Sequence, residues 1–97
     1  MTACIVGWSH LPFGKHDNET VESLIVAAAK AALDHAGLTA ADIDEIVLGH
    51  FNAGFSQQDF TASLVLQADP GFRFKPATRV ENACATGSAA VHNAIKT

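Results

Sequence analysis

Ala77-Thr78-Arg79-Val80-Glu81-Asn82-Ala83-Cys84-Ala85-Thr86-Gly87-Ser88-Ala89-Ala90 is the stretch on which the fold turns. Ala77 to Glu81 suits a strand, and the small residues from Cys84 to Ile95 suit a helix, so a cysteine stands at a strand-to-helix turn. A thiol is useful as a nucleophile when it is partly ionised and exposed, and the N-terminus of a helix favours both. Backbone N–H groups there also hold the negative oxygen that develops when a carbonyl is attacked. Gly87 near the helix start costs about 1 kcal/mol against alanine. Its presence is easier to understand if something must approach the backbone closely. The opposing reading is a small buried cysteine in an alanine-rich helix, because free cysteines are among the most buried residues. The strand before Cys84 and the small residues after it set the nucleophile reading beside that one.

Working back from this turn, Asp69-Pro70-Gly71 stops a helix that opens at Ser56 with Asp59 and carries Phe60, Ser63, Leu64 and Leu66 to about Ala68. Ile43 to His50 reads as a strand, with Ile46, Val47 and Leu48 contiguous, as in a sheet covered on both faces. Thr39-Ala40-Ala41-Asp42 resembles a single short turn, with an acid three residues after a cap. Before it, Thr20 is the N-cap of a helix marked by Val21, Leu24, Ile25, Ala28, Ala32 and Leu33, and Gly37 suits its left-handed end. Cys4 to Ser9, with Ile5 and Val6, predicts a buried first strand. The order β-α-β-α-β-α calls for an α/β layered sheet with largely parallel neighbours and right-handed crossovers. Three strands are few for such a sheet, and further strands are expected to cover its open edges.

The 97 residues fit one small domain or part of a larger one, and about half of them are apolar. That composition supports a buried core and argues against disorder. A net charge of −4, with six scattered basic residues, offers no stripe for a nucleic acid backbone and no attraction to acidic membranes. Two distant cysteines, Cys4 and Cys84, are not a secreted disulfide scaffold. No secretory leader or membrane span is legible, and the expected location is the cytoplasm. Neither Cys-x2-Cys nor His-x3-His spacing occurs, so no metal site is expected. The glycines match neither dinucleotide nor phosphate-loop patterns, and Ser88 is not in a G-x-S-x-G elbow.

Val80 to Ala90 resembles the nucleophile segment of the thiolase family, where an asparagine lies two residues before the cysteine and a small-small-Gly run follows. The form Cys84-Ala85-Thr86-Gly87-Ser88 is most like the branch of sterol-carrier-protein-type thiolases and bacterial acetyl-CoA acetyltransferases. Ile5-Val6-Gly7 with Pro12-Phe13-Gly14, and Ala36-Gly37-Leu38 with Ile43 to Gly49, resemble earlier parts of the same family in matching order. The resemblance implies a thiolase-like layered fold, with residues 1–97 forming a partial N-terminal domain whose C-terminal half is absent. It implies Cys84 as the nucleophile that takes an acyl group from a CoA thioester, its own N–H contributing to an oxyanion hole, with Asn82 and Gly87 supporting the turn. It further implies no permanently bound cofactor, an acyl-CoA substrate, and a homo-oligomer or pairing with the C-terminal half.

The family takes its histidine bases and a second cysteine from that half. His10, His16, His35, His50 and His92 do not match those motifs, and each reads as a surface or packing residue. Cys4 reads as a buried strand residue. Phe51, Phe55 and Phe60 around Gly54 read as caps on the core, or alternatively as a subunit contact, and Phe72 and Phe74 could serve similarly. The expected parent is therefore a thiolase-type acyltransferase catalysing thioester exchange with Claisen condensation or thiolysis, the piece alone being inactive. The alternatives are a non-catalytic assembly module and a ketoacyl-synthase relative that handles carrier-bound acyl groups.

Overall fold

The computed structural model describes residues 2–52 and 60–97. Helix α1 spans Val21–Ala36. Its start is fixed by a reciprocal cap: Ser23 N–H donates to Thr20 Oγ1 at 3.0 Å, and Thr20 N–H donates to Ser23 Oγ at 2.8 Å. Two backbone donors that the helix cannot use are satisfied this way. Gly37, at φ 71°, turns the chain out of the helix. Its N–H donates to Asp34 O and that of Leu38 to Leu33 O, which closes the last turn. Thr39 then starts the single 3-10 turn Ala40–Asp42, with its N–H donating to Asp42 Oδ2 at 2.9 Å.

Strand β1 is Ile46–Gly49 and strand β2 is Ala77–Val80. They pair in parallel, Ile46 against Ala77 and Gly49 against Val80. Hydrogen bonds from Ile46 N–H to Pro76 O and from His50 N–H to Val80 O extend the ladder at both ends. Between the strands lies the 3-10 helix Thr61–Ala68, followed by a 3-10 turn at Pro70–Phe72. Ala62, Val65 and Ala68 are its buried apolar residues. They are three apart, which is the repeat of a 3-10 helix and puts all three on one edge. Val65 and Ala68 join Ala40 and Phe72 in the core cluster, against which Ile25, Val26, Ala29, Leu33 and Ile46 pack. The expected helix from Ser56 is thus a 3-10 helix where it is described; residues 53–59 lie outside the described residues. Helix α2, Thr86–Lys96, packs back on the sheet from the far side of the turn after β2.

The expected first strand is a correction. Residues 2–10 take no regular structure, Ile5 is 83% exposed, and Cys4 is exposed rather than buried. The segment bonds to α1 instead of to a ladder: Trp8 N–H donates to His35 Nδ1 at 3.1 Å, and Ser9 Oγ donates to Ala28 O at 2.8 Å. Gly7 lies so close to Ala36 that a Cβ there would stand 2.6 Å from the alanine Cβ. A strand forms only beside a neighbour that offers free N–H and C=O groups, and a glycine inside the run weakens it further. Among the described residues the order is therefore α-β-β-α, with 3-10 segments between the strands where an α-helix was expected.

The aromatic residues divide as well. Phe72 is in the core, whereas Phe51, Phe60 and Phe74 are exposed and do not cap it. Phe55 falls outside the described residues.

Candidate active site

The turn between β2 and α2 is built in two steps. Ala83–Ala85 forms one 3-10 turn, and α2 begins at Thr86 without a break. Cys84 is the middle residue of that turn and is exposed. The expected helix start at Cys84 therefore shifts by two residues, and the cysteine precedes α2 instead of opening it.

The backbone just before Cys84 is unusual. Ala83 has φ 45°, a left-handed conformation that an alanine adopts at a cost of about 1–2 kcal/mol. Local bonds hold it there. Ala83 N–H donates to the Glu81 carboxylate. Ala85 N–H donates to Asn82 O at 2.8 Å. Asn82 N–H donates to Thr86 Oγ1 at 2.9 Å, and Thr86 Oγ1 donates to Ala83 O at 2.6 Å. Thr86 N–H also donates to Ala83 O. Thr86 is 7% exposed, and its hydroxyl is satisfied on both its donor and its acceptor side.

The end of β1 supports this turn from below. A Cβ on Gly49 would meet Thr86 O at 2.8 Å and Thr86 Cγ2 at 2.9 Å, so only glycine allows the strand to pass. Arg79 Nε–H, from β2, donates to His50 O at 3.1 Å and ties the two strand ends together.

Of the residues expected at the site, Asn82 shapes the turn through its backbone N–H and C=O, and its side chain makes no capping bond. Gly87 is exposed in the first turn of α2, and beyond its chain neighbours and the backbone of α2 itself no described atom lies within 4 Å of the place a Cβ would take. Four of the five histidines have partners elsewhere. His50 Nδ1 is 3.1 Å from Thr61 Oγ1, and His16 Nε2 is 2.7 Å from Pro12 O. The His35 ring accepts from Trp8, and His10 meets Phe13 edge-on at 4.8 Å. His92 is exposed on α2. Among the described residues none of the five is hydrogen-bonded to Cys84, and no group of three or more acidic, histidine or cysteine side chains is placed to hold a metal. No described helix is long and apolar enough to cross a membrane.

Residue-type patterns missed Thr86, Ala83, Glu81 and Gly49. A threonine four residues after Asn82 is the one legible sign among them, because Ser and Thr hydroxyls bond nearby backbone at such spacings.

A family model described as the N-terminal domain of thiolase matches residues 3–97. The chain belongs to the thiolase family. Its relatives include the acetyl-CoA acetyltransferase of Methanocaldococcus jannaschii, 40% identical over 92 residues, which are 94% of this chain and 23% of that protein. The acetyl-CoA acetyltransferase of Methanothermobacter thermautotrophicus is 34% identical over 92 residues, 94% of this chain and 24% of that protein. The chain thus spans about a quarter of the length of these thiolase-family relatives. A solved 3-oxoacyl-[acyl-carrier-protein] synthase III from Aquifex aeolicus VF5 superposes with a TM-score of 0.62 at 27% identity, over 80% of this chain and 25% of that one. The layered α/β arrangement is that of the thiolase-like fold, as the sequence resemblance implied.

Proposed function

We propose that this chain carries the acyl-accepting nucleophile of a thiolase-type acyl-CoA acyltransferase, related to acetyl-CoA acetyltransferases, and that Cys84 is that nucleophile. The observation that carries the reading is the exposure of Cys84 on a tightly bonded turn between a parallel strand and a helix. A thiol there is open to a substrate while its backbone is held still, which is what positioned nucleophiles require.

In the proposed step the Cys84 thiol gives its proton to a base, and Sγ attacks the thioester carbonyl carbon. The carbonyl electron pair moves onto oxygen, where the Cys84 N–H contributes to its stabilisation. Collapse of the tetrahedral species expels the CoA thiolate, which takes up the proton. The products are an acyl-cysteine and free CoA. A second step, Claisen condensation or the reverse thiolysis, then uses the acyl group. The base and the second-step residues come from polypeptide beyond these 97 residues, either the C-terminal half or a partner subunit, so this piece alone completes no turnover. The substrate class is acyl-CoA, no cofactor stays bound, Asn82 and Gly87 serve the turn, and the setting is cytoplasmic.

The likeness to a 3-oxoacyl-[acyl-carrier-protein] synthase III supports a second reading, in which the acyl donor is bound to a carrier protein. Mass spectrometry after mixing the full-length protein with acetyl-CoA, or with an acetylated carrier protein, separates the two. An acetyl adduct on Cys84 from acetyl-CoA, abolished in Cys84→Ala, is the expected result. An adduct from the carrier alone favours the second reading, and none from either leaves a non-catalytic assembly module.

A further inference from the structure

We infer that Thr86 is a positioning residue for the acylation step, acting by aiming the Cys84 N–H at the oxygen of the attacked carbonyl. The inference rests on the reading of Cys84 as nucleophile. It follows from how the turn is bonded rather than from the cysteine itself.

A peptide unit is planar, and in the trans form its C=O and N–H point in opposite directions. The carbonyl of Ala83 and the N–H of Cys84 belong to one such unit. Whatever holds Ala83 O therefore sets the direction of the Cys84 N–H. Thr86 holds it twice, through its own N–H and through its hydroxyl at 2.6 Å. The same hydroxyl accepts from Asn82 N–H at 2.9 Å, on the other side of Ala83. One buried oxygen thus ties the Glu81–Asn82 peptide to the Ala83–Cys84 peptide, across Asn82 and the strained Ala83. Without it, Ala83 has less to keep it at φ 45°, and relaxing that angle rotates the Ala83–Cys84 peptide plane.

Thr86 cannot drift to accommodate such a rotation. Its carbonyl and methyl group lie against the end of β1 at Gly49, where there is no room for a Cβ. A hydroxyl donating to the carbonyl three residues back is an ordinary local habit of threonine. Holding the N–H four residues back at the same time, from a buried and wedged position, is what makes it a brace.

An oxyanion donor is worth much only when aimed at the place where charge develops. Alkylation of the same thiol by iodoacetamide displaces iodide at a saturated carbon and creates no oxyanion. The two reactions therefore separate aim from mere accessibility.

The test compares wild type, Thr86→Val and Thr86→Ser of the full-length protein, reading acetylation of Cys84 by acetyl-CoA and its alkylation by iodoacetamide. Thr86→Val is expected to slow acetylation by about 10-fold or more at saturating acetyl-CoA. Alkylation should change by less than about 3-fold, and Thr86→Ser should restore acetylation to within about 3-fold. Thr86→Ala, which removes the hydroxyl without crowding, stands in if the valine variant does not fold. Acetylation of Thr86→Val at the wild-type rate overturns the inference and leaves the nucleophile standing. Equal losses in both reactions also overturn it, because they mark a general disturbance of the turn. No acetylation of wild type by any donor overturns the nucleophile reading, and this inference with it.

Discussion

Cys4–Ser9 and Ala77–Val80 both carry the pattern of a short buried strand, yet only the second becomes one. Ala77–Val80 lies beside β1, and their register places four residue pairs in contact. Cys4–Ser9 lies along α1 instead, held by Trp8 and Ser9, with its large apolar residues exposed. The pattern states that a segment is able to pair. It does not state with what, and a strand is a property of two segments.

The two regions each hold one tight glycine, Gly49 in the sheet and Gly7 in the first segment. A Cβ would collide at Gly49 and at Gly7 alike, at 2.8 Å and 2.6 Å. Gly49 sits in the ladder under Thr86, so Gly49→Ala has no direction in which to yield. It is expected to destabilise the protein by about 2 kcal/mol in urea denaturation. It should also slow acetylation of Cys84, since the clash falls on Thr86. Helix α1 lies between the two regions, and Thr20→Ala removes one half of its reciprocal cap. A loss of about 1 kcal/mol is expected. If the loss is nil, the cap does not set where α1 begins.

Phe74 tests the loop that feeds β2. It has φ 66° and a fully exposed side chain, so its strain is offset by no packing. Phe74→Gly is expected to stabilise by up to about 1 kcal/mol. A destabilised variant would mean that the ring packs against a surface outside this chain. Smallest of all should be changes in the first segment. Gly7→Ala and Ile5→Ser are each expected to shift stability by less than about 0.5 kcal/mol, because the segment can lift from α1 and Ile5 has little burial to lose. Losses near 2 kcal/mol would show that the segment pairs as a strand in the full-length protein after all.

What was legible follows the same line. The limits of α1 were written locally, in Thr20 and Gly37, and so was the turn at Thr39, because caps act within a few residues. Strand β2 and the turn after it were legible from the change of pattern at Cys84. The 3-10 character of Thr61–Ala68 was less so, since Leu64 and Leu66 drew attention from the smaller Ala62, Val65 and Ala68 that are buried. At the site, the position of Cys84 could be read from sequence and its bracing could not. A left-handed alanine leaves no compositional trace, and the wedge on Thr86 comes from Gly49, far away in the chain.

The parallel register of β1 and β2 carries a consequence in time. Ile46 and Ala77 are about thirty residues apart, and no hairpin joins them, so the pairing must close a long loop before it returns any stability. The Thr86 brace leans on Gly49 and cannot be in place until that loop has closed. During folding, the segment around Cys84 therefore passes through a stage in which the thiol is present but its backbone is unaimed. Pulse alkylation with iodoacetamide during refolding should find this cysteine reactive from the outset, with acetylation arriving only in the last phase.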